Sequence, residues 1–165
     1  HGYCTVDLGR CRVLVMNISG LVFMEGLNDP FRTADRIIDE NKDIKIKVLD
    51  FHAEATSEKK AMGYYLDGRV SCVFGTHTHV QTADERVLEK GTAYITDTGM
   101  TGVENSVIGM DTDACIKRFT THVPDKFRAA EGECVFNGCI FDIDEKTGLA
   151  RSCRRIVKGG SNINE

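Results

Sequence analysis

The chain has 165 residues, 41% of them hydrophobic and 28% charged, with a net charge of −4. That is the size and make-up of one globular domain with a real core, not of a disordered chain. The acidic balance excludes nucleic-acid binding driven by overall charge, although a local metal site brings its own positive charge; no apolar run reaches the roughly 20 residues that cross a bilayer, so no membrane partner is expected.

In chain order, the first expected feature is a hairpin. Strand-like residues 3–6 and 12–17 flank the turn Asp7-Leu8-Gly9-Arg10. Asp29-Pro30 then opens a helix, because Asp can cap and Pro lacks only an N–H that the first turn does not use. Phe31, Ala34, Ile37 and Ile38 give that helix its apolar face. Residues 44–51 read as a strand ending at His52. Thr56 and Ser57 are candidate caps for a helix running to about Leu66, closed by Asp67-Gly68. Strands follow at 69–75 and 93–96, a helix at 112–121, and strands at 127–131, 133–144 and 149–157. Glu145-Lys146-Thr147-Gly148 makes a hairpin turn between the last two. Residues 1–157 read as part of a single domain, and the polar stretch 158–165 is expected to be a disordered tail. The fold class is α/β, a layered sheet with helices and an antiparallel portion.

Seven cysteines occur singly, without a C-x-x-C pair, and most lie in strand-like runs. They read as reduced, buried thiols of a cytoplasmic protein. The N-terminus has neither the basic nor the apolar region of a signal peptide. It also lacks a starting Met, as a processed chain or a fragment would.

Two motifs carry chemistry: Asp50-Phe51-His52-Ala53-Glu54 and Gly75-Thr76-His77-Thr78-His79. Both follow expected strands, at the carboxyl end where α/β sheets place ligands. In an extended segment His77 and His79 point the same way and converge on one ion. His52, one strand–helix–strand crossover away, supplies a third imidazole, a ligand suited to zinc, manganese or iron. Asp50, Glu54 and Thr76 lie beside these histidines. Asp97, at the end of a third strand, reads either as a site residue or as a turn cap. His1 and His122 have no such company and read as surface residues.

The stretch from Asp50 to Lys59, then Gly75 to Asp84, then Gly91 to Gly102 closely resembles the YmdB-type family of bacterial calcineurin-like metallophosphoesterases. Asp29-Pro30-Phe31, Leu66-Asp67-Gly68-Arg69 and Ile108-Gly109-Met110-Asp111 share the resemblance, which covers residues 11 to 157 or so. It implies a metallophosphoesterase-like sheet sandwich with flanking helices. It also implies two divalent ions (Fe, Mn or Zn), with His52 and His77 on one and His79 on the other, and a cyclic-nucleotide or related phosphodiester substrate. Family members extend about a hundred residues further at the N-terminus. That part supplies the first strands, a metal-binding Asp, the bridging ligands and the acid histidine, none of which has a counterpart in this sequence. The resemblance therefore implies a partial dinuclear site, completed by the N-terminal segment, and an exposed sheet edge covered by that segment or by homo-oligomerisation. The alternatives are a self-sufficient mononuclear hydrolase using His52, His77 and His79, and a non-catalytic binding or assembly domain.

Overall fold

The structure, a computed structural model, describes residues 2–25, 28–124, 126 and 128–159. β1 (Tyr3–Asp7) and β2 (Arg12–Ser19) form the expected antiparallel hairpin. α1 (Pro30–Glu40) begins as its sequence requires. The Asp29 side chain accepts from the Arg32 backbone N–H, and Pro30 opens the first turn. Then come β3 (Ile46–His52), α2 (Thr56–Tyr65) and β4 (Cys72–Thr76). The chain continues through β5 (Arg86–Val87), β6 (Ala93–Ile95), β7 (Thr101–Val103), α3 (Thr112–Thr121), β8 (Cys134–Ile143) and β9 (Ala150–Gly159).

Several expectations need correction. Thr56 and Ser57 are not caps: Ala55 holds that position without a side-chain bond, and both hydroxyl residues lie in the first helical turn. Of the strand expected at 127–131, the described residues 128–131 form only a single bridge, between Met110 and Ala129; Phe127 lies outside the described residues. β5 and β7 are too short to carry a readable alternation, and only pairing with β6 and β8 makes them strands. Lys158 and Gly159 belong to β9, where Lys158 pairs with Phe136 and Gly159 with Val135. The rest of the expected tail, 160–165, lies outside the described residues.

A six-stranded sheet runs β1-β2-β3-β4-β6-β5, and a three-stranded one runs β7-β8-β9. In the larger sheet β2, β3, β4 and β6 are parallel, with an antiparallel strand at each edge. Alternation sorts its two faces. Leu14 and Met16 of β2, Leu49 and Phe51 of β3 and Val73 of β4 pack with Ala34 and Ile37 of α1 and with Met62 of α2. Burial of each of the larger of these side chains contributes about 1.5–3 kcal/mol. The opposite face carries Asn17, Asp50, His52 and Thr76 towards the carboxyl ends of the strands.

The smaller sheet is attached along the β4–β6–β5 half. Phe74 stacks on Phe141 with ring centroids 6.1 Å apart. Gln81 Nε2 donates to the carbonyls of Gly138 and Ile156, and Glu85 pairs with Arg155 at 2.8 Å. No helix among the described residues is long and apolar enough to cross a membrane.

At the end of β4, Gly75 lets two backbones meet. A Cβ there would lie 1.8 Å from the Thr96 carbonyl oxygen, and the Gly75 carbonyl accepts from Thr98 N–H at 2.9 Å. Gly75→Ala is therefore expected to destabilise the chain by at least the roughly 1–3 kcal/mol of ordinary overpacking, because a backbone atom rather than a flexible side chain must move. Urea denaturation checks this, and a midpoint equal to that of the unsubstituted chain contradicts it.

Candidate metal centre

His52 closes β3 and Thr76 closes β4, and the two are register partners. Thr76 Oγ1 donates to Asp50 Oδ1 at 2.8 Å, and Asn17 Nδ2 donates to Asp50 Oδ2 at 2.8 Å. His52 Nδ1 lies 3.0 Å from Thr76 Oγ1, and its Nε2 lies 3.1 Å from Nδ1 of His77. The two rings are perpendicular, 89° apart in plane. Nε2 of His77 in turn pairs with Glu54 Oε2 at 2.9 Å.

Thr76 has a single hydroxyl proton, directed to Asp50, so its oxygen accepts from His52 Nδ1–H. The Glu54 carboxylate calls for Nε2–H on His77 in the same way. The nitrogens that face each other, His52 Nε2 and His77 Nδ1, then both present lone pairs. Two lone pairs across 3.1 Å repel unless a cation, a proton or a metal ion, lies between them. An ion with metal–nitrogen bonds of about 2.1 Å spans such a gap, and imidazole suits borderline divalent ions. The donor set thus fits one metal on two histidines, with positions left open.

His79 stands apart from this pair. Its Nδ1 bonds the carbonyl of Ile108 at 2.9 Å. The 77–79 segment is not extended: His77 has φ 101° and His79 has φ 66°. Strand alternation therefore does not hold here, and the two imidazoles turn to different partners. No group of three or more His, Cys, Asp or Glu side chains among the described residues is disposed to hold an ion. Beside His79 opens a mainly apolar cavity of about 270 Å³, bordered by Met100, Val103, Ile108 and Ala129.

Positive φ at a non-glycine residue costs on the order of 1–3 kcal/mol and persists only where surroundings enforce it. Asp97 supplies the enforcement from beneath. Its Oδ2 accepts from Thr78 N–H at 3.0 Å and Thr78 Oγ1 at 2.7 Å, and its Oδ1 accepts from Gly99 N–H at 2.9 Å. It also pairs with Lys59 Nζ at 2.8 Å, each side chain only 1% exposed. Burial pushes the Asp97 carboxyl upward, but the bonds from Lys59, Thr78 and Gly99 outweigh it and hold the group below the usual range. Lys59 comes from α2, whose Glu58 accepts from Leu21 and Val22 N–H and ties down the segment after β2. Asp84, just beyond the loop, accepts from Thr96 and Thr82 and pairs with Lys60; against the opposing effect of burial these lower it to about 2.

Asn17, Glu58 and Lys59 belong to no motif that marks a site in the sequence. Asn17 had one signal, a polar residue at the end of the apolar strand Leu14–Val15–Met16. Lys59 had none, since a helix lysine ordinarily reaches solvent. Of the cysteines, only Cys72 and Cys115 are buried. Burial pushes the Cys139 thiol up to about 11. His122 is exposed at the left-handed end of α3, and His1 lies outside the described residues.

Fold and site together define a mixed α/β protein with a histidine pair at the carboxyl ends of two parallel strands. A family model described as YmdB-like protein matches residues 1–156, and the chain belongs to that family. It is 53% identical over 157 residues to the 2′,3′-cyclic-nucleotide 2′-phosphodiesterase of Bacillus subtilis (strain 168), covering 94% of this chain and 60% of that protein. A crystal structure of a hypothetical protein from Thermus thermophilus superposes with a TM-score of 0.91 at 41% identity, over 96% of this chain and 62% of that one. A crystal structure described as a novel phosphatase, from Mycoplasma pneumoniae, gives 0.89 at 33% identity, over 96% and 57%. The chain thus spans about three-fifths of the length of these relatives.

Two outcomes are expected from the anchoring carboxylates. Asp97→Ala strands the Lys59 charge in the core and should cost about 3–5 kcal/mol, the range for breaking a buried pair from one side; chemical denaturation measures it. The depressed Asp84 contributes stability that is complete above the ordinary carboxylate range and lost as pH falls through about 2. Stability followed from pH 5 to pH 2 should therefore fall less steeply in Asp84→Asn than in the unsubstituted chain.

Proposed function

We propose that residues 1–157 are the C-terminal part of a single metallophosphoesterase domain, a layered calcineurin-like sheet sandwich. In this reading the domain hydrolyses cyclic nucleotides or related phosphodiesters at a dinuclear metal site that this chain only partly encodes. The observation that carries the proposal is the 3.1 Å approach of His52 Nε2 to His77 Nδ1, two ring nitrogens whose opposite nitrogens already face Thr76 and Glu54. His52 and His77 hold one divalent ion (Fe, Mn or Zn), and His79, turned to a different surrounding, serves the second. The separation of His79 from the converging pair favours this over a single ion on three imidazoles.

When bound, such ions supply charge stabilisation to a phosphoryl group and an activated water. The residues of this chain do the positioning. Thr76 and Glu54 hold the two imidazoles in the tautomers that expose the facing nitrogens. Asp97 keeps Thr78, and with it His77 and His79, in place. The apolar cavity beside His79 gives the organic part of a phosphodiester somewhere to lie. The substrate class is supported by the name of the Bacillus subtilis relative.

Neutral imidazoles offset none of the charge of two dications, so bridging anions must come from elsewhere. An N-terminal segment of the kind the family resemblance implies is their proposed source, and its association with this chain, or self-association, would cover apolar sheet surface. Val13, Val15 and Val48, on the face away from the helices, are only partly buried. A reducing, cytoplasmic setting accords with seven free thiols.

The test is hydrolysis of bis-p-nitrophenyl phosphate and 2′,3′-cyclic nucleotides with Mn²⁺ or Fe²⁺, with and without an N-terminal segment matching that of the relatives. Activity should depend on that segment. His52→Ala and His79→Ala should each lower it by more than the roughly 10–100-fold typical of changes outside the ligand shell. Activity that survives both substitutions overturns the site assignment.

A further inference from the structure

We infer that Asn17, Asp50 and Thr76 are positioning residues: a hydrogen-bond relay that sets which nitrogen of His52 carries the proton, and so how tightly the site takes up a divalent ion. This rests on the reading of His52 as a metal ligand and adds to it the means by which that ligand is kept ready.

The relay crosses three parallel strands on one face of the sheet. Asn17 of β2 is the register partner of Asp50 on β3, and His52 of β3 is the partner of Thr76 on β4. Its links measure 2.8 Å from Asn17 Nδ2 to Asp50 Oδ2, 2.8 Å from Thr76 Oγ1 to Asp50 Oδ1, and 3.0 Å between Thr76 Oγ1 and His52 Nδ1. An ionised carboxylate only accepts, and a hydroxyl has one proton to give. Asp50 therefore takes the Thr76 proton, and Thr76 can only accept from His52. The imidazole is left as the Nδ1–H tautomer, with Nε2 bare and turned to His77. Metal-bound histidines ordinarily have their second nitrogen fixed by such a partner.

In Asp50→Asn the oxygen of the new amide is drawn to the Asn17 donor, and its NH₂ faces Thr76. Thr76 must then accept from that amide and give its proton to His52 Nδ1. The ring switches to the Nε2–H tautomer, which blocks the nitrogen that faces His77. A nearly isosteric change one hydroxyl away from the imidazole thus closes the ligand, although no ligand atom is altered. Thr76→Val removes the acceptor and leaves the tautomer unset; Thr76→Ser restores it.

The experiment uses the full 165-residue chain and Co²⁺ as the probe ion, with affinity read from its visible spectrum. His52 tautomers are read separately, from long-range ¹H–¹⁵N correlation spectra without metal. The expected result is the Nδ1–H tautomer in the unsubstituted chain and in Thr76→Ser. Asp50→Asn and Thr76→Val should lose it and bind Co²⁺ about 10–100-fold more weakly, while their thermal unfolding confirms that they fold. If His52→Ala binds Co²⁺ as tightly as the unsubstituted chain, the metal-site reading fails and the relay with it. If His52→Ala loses binding but Thr76→Val keeps both the tautomer and the affinity, the relay alone is overturned.

Discussion

Lys59 and Asp97 meet at 2.8 Å, each 1% exposed, where helix α2 packs under the end of β6. Taking two charges out of water costs several kcal/mol apiece, and mutual attraction offsets this only when other bonds occupy the remaining lone pairs. Asp97 meets that condition by accepting from Thr78 twice and from Gly99 once. Those three bonds are also what holds the histidine loop. The requirement that a buried carboxylate be satisfied is thus the same requirement that fixes the backbone carrying His77 and His79.

Much of the site's geometry follows from that anchoring. Thr78, pinned from below, leaves the residues on either side with positive φ, and they turn their side chains to different surroundings. Gly75 permits the close contact between β4 and the strand end at Thr96 that brings Asp97 within reach. Gly63 serves the same purpose one layer away, since a Cβ there would lie 2.5 Å from the Tyr94 ring that backs β6. Close packing on the helix side sets the sheet, and the sheet sets the order of the polar residues on its other face.

Legibility in the sequence divides along physical lines. α1 could be read because its signals are local: an Asp-Pro start and an apolar face at helical spacing. The β8–β9 hairpin was readable for the same reason, through alternation and a Gly-containing turn. β5 and β7 were not, because two- and three-residue strands have no period of their own. Thr56 and Ser57 misled because a hydroxyl before an apolar run looks like a cap whether or not it bonds the backbone. Asp97 had even claims as site residue or turn cap; only its neighbours show what it holds.

The family, the α/β class and the placing of His52 and His77 at strand ends could all be read from residue order. Motifs, periodicities and strand-end positions are properties of a linear chain. Three further facts needed the folded chain: His52 and His77 converge while His79 does not, Lys59 is buried rather than solvated, and Asn17 stands behind Asp50. Each of these depends on register between strands distant in sequence, on two positive φ angles that no local pattern specifies, or on a buried charge whose partner lies 38 residues away.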